Sequence, residues 1–385
     1  MRSNVSFEAD WQQLISKINS CIDLDASARA SNALVRKRCI GDAATLLRLA
    51  LAYGPGGMSL RSAAAWAGLN DIAQLSDVAL LKRLRGAADW LGEIAGALLP
   101  ASSSFGHSSG SRRLRIADAS SVSGPGSAGT DFRLHAAYDP SRSRFTFLDV
   151  SDAHGGEAFT RLPLTEGDIL IGDRAYARAP SLAKVLAAGA DFIVRSGWHS
   201  IRLVTLDGNA VDWNAIYAPM RVGDIREIDV FVEHSGRKQR GKGTPLFKAR
   251  LIVKRKDAEA AERALKMAKR GHQRRRYNQI MQPTTIAAAG FFMVLTSLHA
   301  SAMTAEAVLN TYRLRWQIEL AFKQLKSGLG IHKLPAKDPQ LARSWLMAHL
   351  ILALMIDEAV NDVLDSPPFR DANTCDDVDI TLAAI

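Results

Sequence analysis

The chain has 385 residues, 47% of them hydrophobic and 23% charged, with a formal net charge of +10. That length supports a full hydrophobic core and two or three domains, and the basic surplus favours a polyanionic partner, nucleic acid first and an acidic membrane surface second. Cys21, Cys39 and Cys375 are too scattered for a disulfide framework or a zinc site, and the amino terminus lacks the apolar core of a secretory signal. A reducing, cytoplasmic setting is expected, with no membrane partner. The longest apolar stretch, LMAHLILALMI at 346–356, stops at Asp357 and Glu358, short of the roughly 20 residues of a bilayer span, so it reads as a buried helix.

The first hundred residues carry helical periodicity, broken by YGPGG at 53–57. Between 59 and 91 one short helix ends near Gly68, and Ser76 caps a second that carries Lys82, Arg83 and Arg85. A helix-turn-helix and a plain helical bundle both fit that pattern. ASSSFGHSSGSRR, 101–113, reads as a linker. Strand patterns follow: RLRIAD (113–118), FRLHAAYD (132–139) and RFTFLDV (144–150), the last two joined by PSRS. A short helical segment around Glu157 to Leu162 precedes the strand DILIGD (168–173), the helix SLAKVLAAGA stopped by Gly189, and the strand DFIVR. From about 196 to 300 the chain is irregular and β-rich, with one basic helical stretch, AEAAERALKMAKRGHQRRR. Helices resume near 304.

TYRLRWQIELAFKQLK, 311–326, is the most informative segment. On one continuous helix, Tyr312, Arg315, Glu319 and Lys326 share an arc of about 60°, beside an apolar arc holding Leu314, Ile318, Ala321, Phe322, Leu325 and Leu329. Lys326 and Tyr312 each lie roughly 10 Å from Glu319 along the axis. Taken alone, such a stripe is also what a solvated helix face with i,i+4 pairs looks like. Two further carboxylates favour chemistry: Asp118 closes the strand RLRIAD, and Asp173 closes DILIGD and opens DRAY. Carboxylates at the ends of two strands, with a third from a helix, can converge on a divalent metal pair that activates water and stabilises a leaving oxygen in phosphodiester chemistry. Magnesium prefers such all-oxygen ligands. The nine histidines are scattered, and no P-loop supports ATP use.

On these residues the sequence resembles the DDE transposases of bacterial insertion sequences, in the subgroup with a Tyr-Arg-Glu-Lys (YREK) signature. Tyr312, Arg315, Glu319 and Lys326 match its spacing, and GDRAYA around Asp173 and RIADASSV around Asp118 are similar to the family's other acidic motifs. The resemblance covers roughly residues 110–350. It implies an α/β fold: a ribonuclease-H-like catalytic core interrupted by a mostly β insertion, with an all-α amino-terminal domain. The expected organisation is an end-binding helical domain at 1–105, the core's first part at 106–195, the insertion at 196–303, the core's second part with the glutamate helix at 304–365, and a tail at 366–385. Asp118, Asp173 and Glu319 are then the catalytic residues and ligands of two Mg²⁺ ions, for which Mn²⁺ can substitute.

The implied reaction is end hydrolysis, attack of the freed 3′-hydroxyl to form a hairpin, hairpin opening and joining to target DNA. The partners implied are double-stranded DNA, as terminal repeats and as target, and a second copy of the chain in a synaptic homodimer associated with the bacterial nucleoid. Tyr312, Arg315 and Lys326 are expected to hold phosphates beside an extruded base, with Arg174, Tyr176, Lys254 and Arg255 also contacting DNA. Where the family has a tryptophan in a stretch like WLLLTS, this chain has FFMVLTS, and Phe291 is assigned to stack on that base. The basic run RKQRGKGTPLFKARLIVKRK is a further backbone contact. The tail SPPFRDANTCDDVDITLAAI is acidic, unsuited to DNA, and shorter than the helical region with which family members pair subunits. Two alternatives remain: a nuclease of the same fold that never joins ends, and a catalytically silent DNA-binding remnant acting as a repressor.

Overall fold

The computed structural model describes residues 2–99, 112–127, 129–233, 246–275, 280–331 and 334–365. The Ser/Gly-rich linker, apart from its last two residues, much of the basic run at 237–256 and the acidic tail lie outside these. Helices α1 (Arg2–Cys21), α2 (Leu24–Ala30), α3 (Ala43–Tyr53), α4 (Leu60–Leu69), α5 (Asp77–Gly86) and α6 (Ala88–Leu98) build the amino-terminal region. Asp23, Asp42, Ser59 and Ser76 each accept a first-turn backbone N–H, a contribution of about 1 kcal/mol per cap. The break at YGPGG ends α3, and Gly57 takes the left-handed backbone that a side chain would resist.

Of the two readings of α4 and α5, the bundle is the one the packing favours. Leu80 and Leu84 of α5 are fully buried, and Ser344 of the carboxyl-terminal helix α13 (Pro339–Asp365) donates its hydroxyl to the Leu84 carbonyl at 2.5 Å. Arg85 pairs with Asp338 at 2.9 Å, and Arg83 donates to the Arg36 carbonyl. Two of the three cations that suggested a recognition helix are thus engaged internally. Within α13, Pro339–Ile356 is long and apolar enough to cross a membrane, yet 61% of that window is buried inside the protein. It is the core helix expected from the sequence, packed against α3, α5 and α6.

Nine strands among the described residues form one mixed sheet: β1 (Arg113–Val122), β2 (Phe132–Asp139), β3 (Arg144–Asp152), β4 (Asp168–Gly172), β5 (Asp191–Ser196), β6 (Leu203–Val204), β7 (Ile225–Val232), β8 (Phe247–Arg255) and β9 (Phe291–Thr296). Their order is β3-β2-β1-β4-β5-β9-β8-β7-β6. β1, β4 and β5 run parallel, and helix α7 (Ala179–Ala187) makes the β4-to-β5 crossover. The remaining pairings are antiparallel. The strands of the 196–303 region continue this sheet, since β9 pairs with both β5 and β8.

Period-2 alternation sends successive side chains to opposite faces. Ile169, Ile171, Ile193 and Val294 join a core shared with α6 and α13. Leu170, Phe192, Val194, Met293 and Leu295 join a second core with α7 and the short helix α8 (Trp213–Tyr217). The basic helix α9 (Ala258–Arg275) and α10 (Pro283–Ala288) precede β9; α11 (Ala305–Arg313) and α12 (Trp316–Leu329) follow it.

Three local expectations change. The segment expected to be helical around Glu157 to Leu162 is only a 3-10 turn, Phe159–Arg161. β1 does not stop at Asp118: it parts from β4 after Ile116 but stays paired with β2 as far as Val122, so Asp118 is a mid-strand residue beyond its neighbour's end. Residues 312–326 are not one helix, because α11 ends at Arg313 and α12 starts at Trp316. Between them the N–H groups of Leu314, Arg315 and Gln317 bond three residues back, to Thr311, Tyr312 and Leu314. This tighter turn re-aims the signature relative to a uniform helix.

Candidate active site

Asp118 stands where β1, still paired with β2, passes the end of β4, and Asp173 follows Gly172, the last residue of β4. Both carboxylates therefore emerge at the same edge. The Asp173 carboxylate accepts the Ala175 N–H at 2.8 Å, closing the 3-10 turn Arg174–Tyr176. That turn folds down tightly: a Cβ on Gly172 would stand 2.7 Å from Tyr176 and 2.8 Å from Phe159. Only glycine fits, and the Tyr176 ring packs 4.8 Å from Phe159 beneath the acids.

Arg315, in the turn before α12, joins the helix to the strand. Its guanidinium is 3.5 Å from the Asp118 carboxylate and donates to Glu319 at 2.5 Å. Asp118 and Glu319 also line one 540 Å³ cleft with Lys323 and Lys326. Lys326 donates to the Ser121 carbonyl of β1 at 2.9 Å, pinning the far end of α12 to the same strand.

The electrostatics follow from crowded carboxylates. Burial pushes the Asp118 carboxyl up to about 6, with Asp173 and Glu157 adding to the rise against the Ala119 N–H and Arg315. Burial also raises Glu157, again with Asp173 contributing. Burial opposes the charge on Arg315, but Tyr312, Glu319 and Asp118 outweigh it and hold its pKa above the ordinary value. Glu157 is thus a fourth acid at this edge, anchored by Arg133 at 3.2 Å. No sequence signal marks it, because only the fold of the 152–161 loop brings it to Asp173.

The donor set is all carboxylate, which suits a hard divalent cation. Among the described residues no three potential ligands are close enough to form a metal cage, and Arg315 bridges Asp118 and Glu319. The residues fit such an ion in kind. In the arrangement described, Glu319 would have to exchange Arg315 for the ion.

Beside the acids lies a 580 Å³ cavity whose wall includes Arg195, Lys254, Arg255, Phe292, Tyr312 and Trp316, with Arg315 at its border. Tyr312 is 6% exposed, and its ring centroid is 5.4 Å from that of Phe292. Phe291, expected to face an extruded base, points the other way. It is 5% exposed, stacked at 4.2 Å on Tyr217 with the Arg255 guanidinium 4.6 Å from its centroid. Strand alternation decides this, and Phe292 is the aromatic that meets the signature. Counting back from the shared Thr296-Ser297 places Phe292 opposite the tryptophan of WLLLTS.

Tyr176, expected to contact DNA, is 2% exposed and buried beneath the acid cluster. Arg174 is exposed at the same edge, and Lys254 and Arg255 line the aromatic cavity, the Arg255 guanidinium lying over the Phe291 ring. Trp316 was missed; it is 52% exposed at the start of α12, and its place inside the signature gap was the available hint.

Residues 109–356 match the family model described as a transposase DDE domain. The chain is 42% identical over 360 residues to a putative transposase, InsL, of insertion sequence element IS186A from Escherichia coli K12, covering 93% of this chain and 96% of the relative. It is also 42% identical over 361 residues to the transposase of insertion sequence element IS421 from Escherichia coli, with the same coverage. Among solved structures, a piggyBac transposase synaptic complex with hairpin DNA aligns with a TM-score of 0.42 and 8% identity, over 82% of this chain and 64% of that one. On the family match and these relatives, the chain belongs to the DDE-domain transposases of insertion sequences.

Proposed function

We propose that this transposase cuts its element out and pastes it elsewhere by Mg²⁺-dependent strand cleavage, hairpin formation and strand transfer, from a ribonuclease-H-like core made of β1 to β5 and α12. The observation that carries this reading is the meeting of Asp118 and Glu319 at Arg315, with Asp173 and Glu157 pressing on Asp118 from the same sheet edge. Asp118, Asp173 and Glu319 would hold the divalent ions, which when bound activate the attacking oxygen and stabilise the leaving one; Mn²⁺ could take the place of Mg²⁺.

The chain's own residues do the rest. Arg315 and Lys326 bind phosphates on either side of the cleft, and Lys326 is set against β1 so that its charge stays fixed. Hairpin closure needs a sharply bent end, and an extruded base needs an aromatic surface to replace its lost stacking. The cavity of Phe292, Tyr312 and Trp316 supplies one, with Lys254, Arg255 and Arg195 for the flanking phosphates. A phenyl ring at 292 stacks over less area than an indole and has no N–H to donate. Two copies of the chain acting on paired ends complete the scheme.

The test is incubation of purified protein, Mg²⁺ and the element's terminal repeats, resolved on a denaturing gel. Nicks and hairpins from the wild type, lost in Asp118→Ala, Asp173→Ala and Glu319→Ala with end binding kept, are expected. Wild-type nicking by any one of the three removes that residue from the catalytic set. Joining of a precut end to target DNA separates a transposase reaction from a nuclease that only cuts. Binding with no cleavage of any end would leave the repressor reading.

A further inference from the structure

On the α7 side of the acid cluster is a separate 420 Å³ notch, lined by Thr160, Arg178, Ser181, Lys184 and Ser200. We propose that it is a seat for one backbone phosphate of the DNA strand that runs past the acids, outside the aromatic cavity and the carboxylate cleft. The inference rests on the DNA-cleaving reading above and adds a second anchoring point to it.

Three independent features converge there. First, α7 follows β4 directly and crosses to β5, so its amino end lies at the carboxyl edge of the parallel strands, where Asp173 also emerges. Pro180 has no N–H and the Ser181 N–H bonds the Arg178 carbonyl at 2.9 Å, so what this end offers an anion is the positive end of the helix dipole. No side chain caps this one: Arg178 is the N-cap residue and makes no capping bond. Second, Ser181 in the first turn is only 7% exposed, lines the notch, and its hydroxyl has no hydrogen-bond partner. A buried hydroxyl without a partner costs about 1–3 kcal/mol, a cost that a bound oxyanion would remove. Third, Arg178 and Lys184 bring two exposed cations to the rim. Arg178 is steered by a bond from Nε to the Ala175 carbonyl at 3.1 Å.

A hydroxyl, a helix amino end and two cations recognise a singly charged tetrahedral oxyanion, the chemistry of a phosphodiester. Arg178 also acts electrostatically on Glu157. The notch is therefore next to the acid cluster and suits a phosphate flanking the scissile one. DNA is favoured over a free phosphate because the inference rests on the DNA-cleaving reading and two exposed cations stand at the rim.

The experiment is a salt titration of full-length protein on a duplex carrying the element's end, by fluorescence anisotropy without divalent ions. One phosphate contact accounts for about 0.9 in the slope of log affinity against log salt. Arg178→Gln with Lys184→Gln should lower the slope by about that amount. Ser181→Ala should weaken binding severalfold with no change in slope and no fall in Tm, since it removes an unpartnered buried hydroxyl. An unchanged slope in the double variant, or unchanged affinity in Ser181→Ala, would overturn the inference, with cleavage of the same duplex by the wild type in Mg²⁺ judging the parent reading separately. A wild type that binds no DNA sinks both. Competition by inorganic phosphate at low millimolar concentration in the wild type, absent in the double variant, is expected of a built oxyanion seat. Competition only by intact DNA would mean that the rim cations bind the strand without the notch, and would also overturn it.

Discussion

Arg315 sits 3.5 Å from Asp118 and bonds Glu319 at 2.5 Å, so a single guanidinium holds together two carboxylates that are far apart in the chain. A fixed cation between two acids offsets like-charge repulsion at the sheet edge.

Asp118 makes that balance measurable. Its folded carboxyl keeps its proton up to about pH 6, whereas the unfolded chain releases it near 3.8. The group's contribution to stability is therefore full below about pH 4 and is lost as pH rises through 6. Without divalent ions, Asp118→Asn should be more stable than wild type by about 3 kcal/mol above pH 7, with little difference below pH 4. Urea unfolding at both pH values checks this, and a constant difference across the range would contradict the assignment. Added Mg²⁺ should stabilise the wild type and not the variant.

Phe291 and Phe292 separate packing from recognition. Phe291→Ala should cost about 3–5 kcal/mol of stability, because its ring is buried on Tyr217. Phe292→Ala should cost less and should lose the fluorescence change of a 2-aminopurine placed at the element's end. If the Phe291 variant alone loses that signal while remaining folded, the aromatic cavity is not the base site.

Arg115 is fully buried and donates to Asp168 at 3.0 Å, and Asp168 also takes a two-point contact from Arg113. Removing the acid leaves a buried cation unpaired, so Asp168→Ala should cost about 3–5 kcal/mol. Thermal and chemical unfolding should agree on a large loss with DNA chemistry abolished only through unfolding. A stable, inactive variant would instead place Asp168 in the reaction.

Glu157 lies beside Asp173 and behind Asp118. Glu157→Gln should shift the Mg²⁺ concentration for half-maximal cleavage upward by about tenfold, as expected of a group that orients ligands from behind. An unchanged metal dependence would reduce Glu157 to a partner of Arg133.

Much of the strand pattern and the place of Asp173 after β4 could be read from the sequence, because alternation, turn residues and terminal glycines act over a few positions. Ser76 capping α5 and Gly189 closing α7 are of that local kind. The family resemblance likewise offered Asp118, Asp173 and Glu319 as candidate catalytic residues. Glu157 and Trp316 were not legible, since each depends on where a loop or a tightened turn falls, whereas Phe292 follows from counting back from Thr296-Ser297.

By itself, then, the sequence determined which side chains carry charge and at what spacing, and that a helix and two strands would present them. Only the tertiary structure decided that Arg315 would stand between two of the acids, that Tyr176 would be sealed beneath them, and that Phe292 would turn toward Tyr312. The reason is physical: short-range propensity sets an element and its period, whereas burial and charge balance among distant residues set its register and which of its faces meets the reaction.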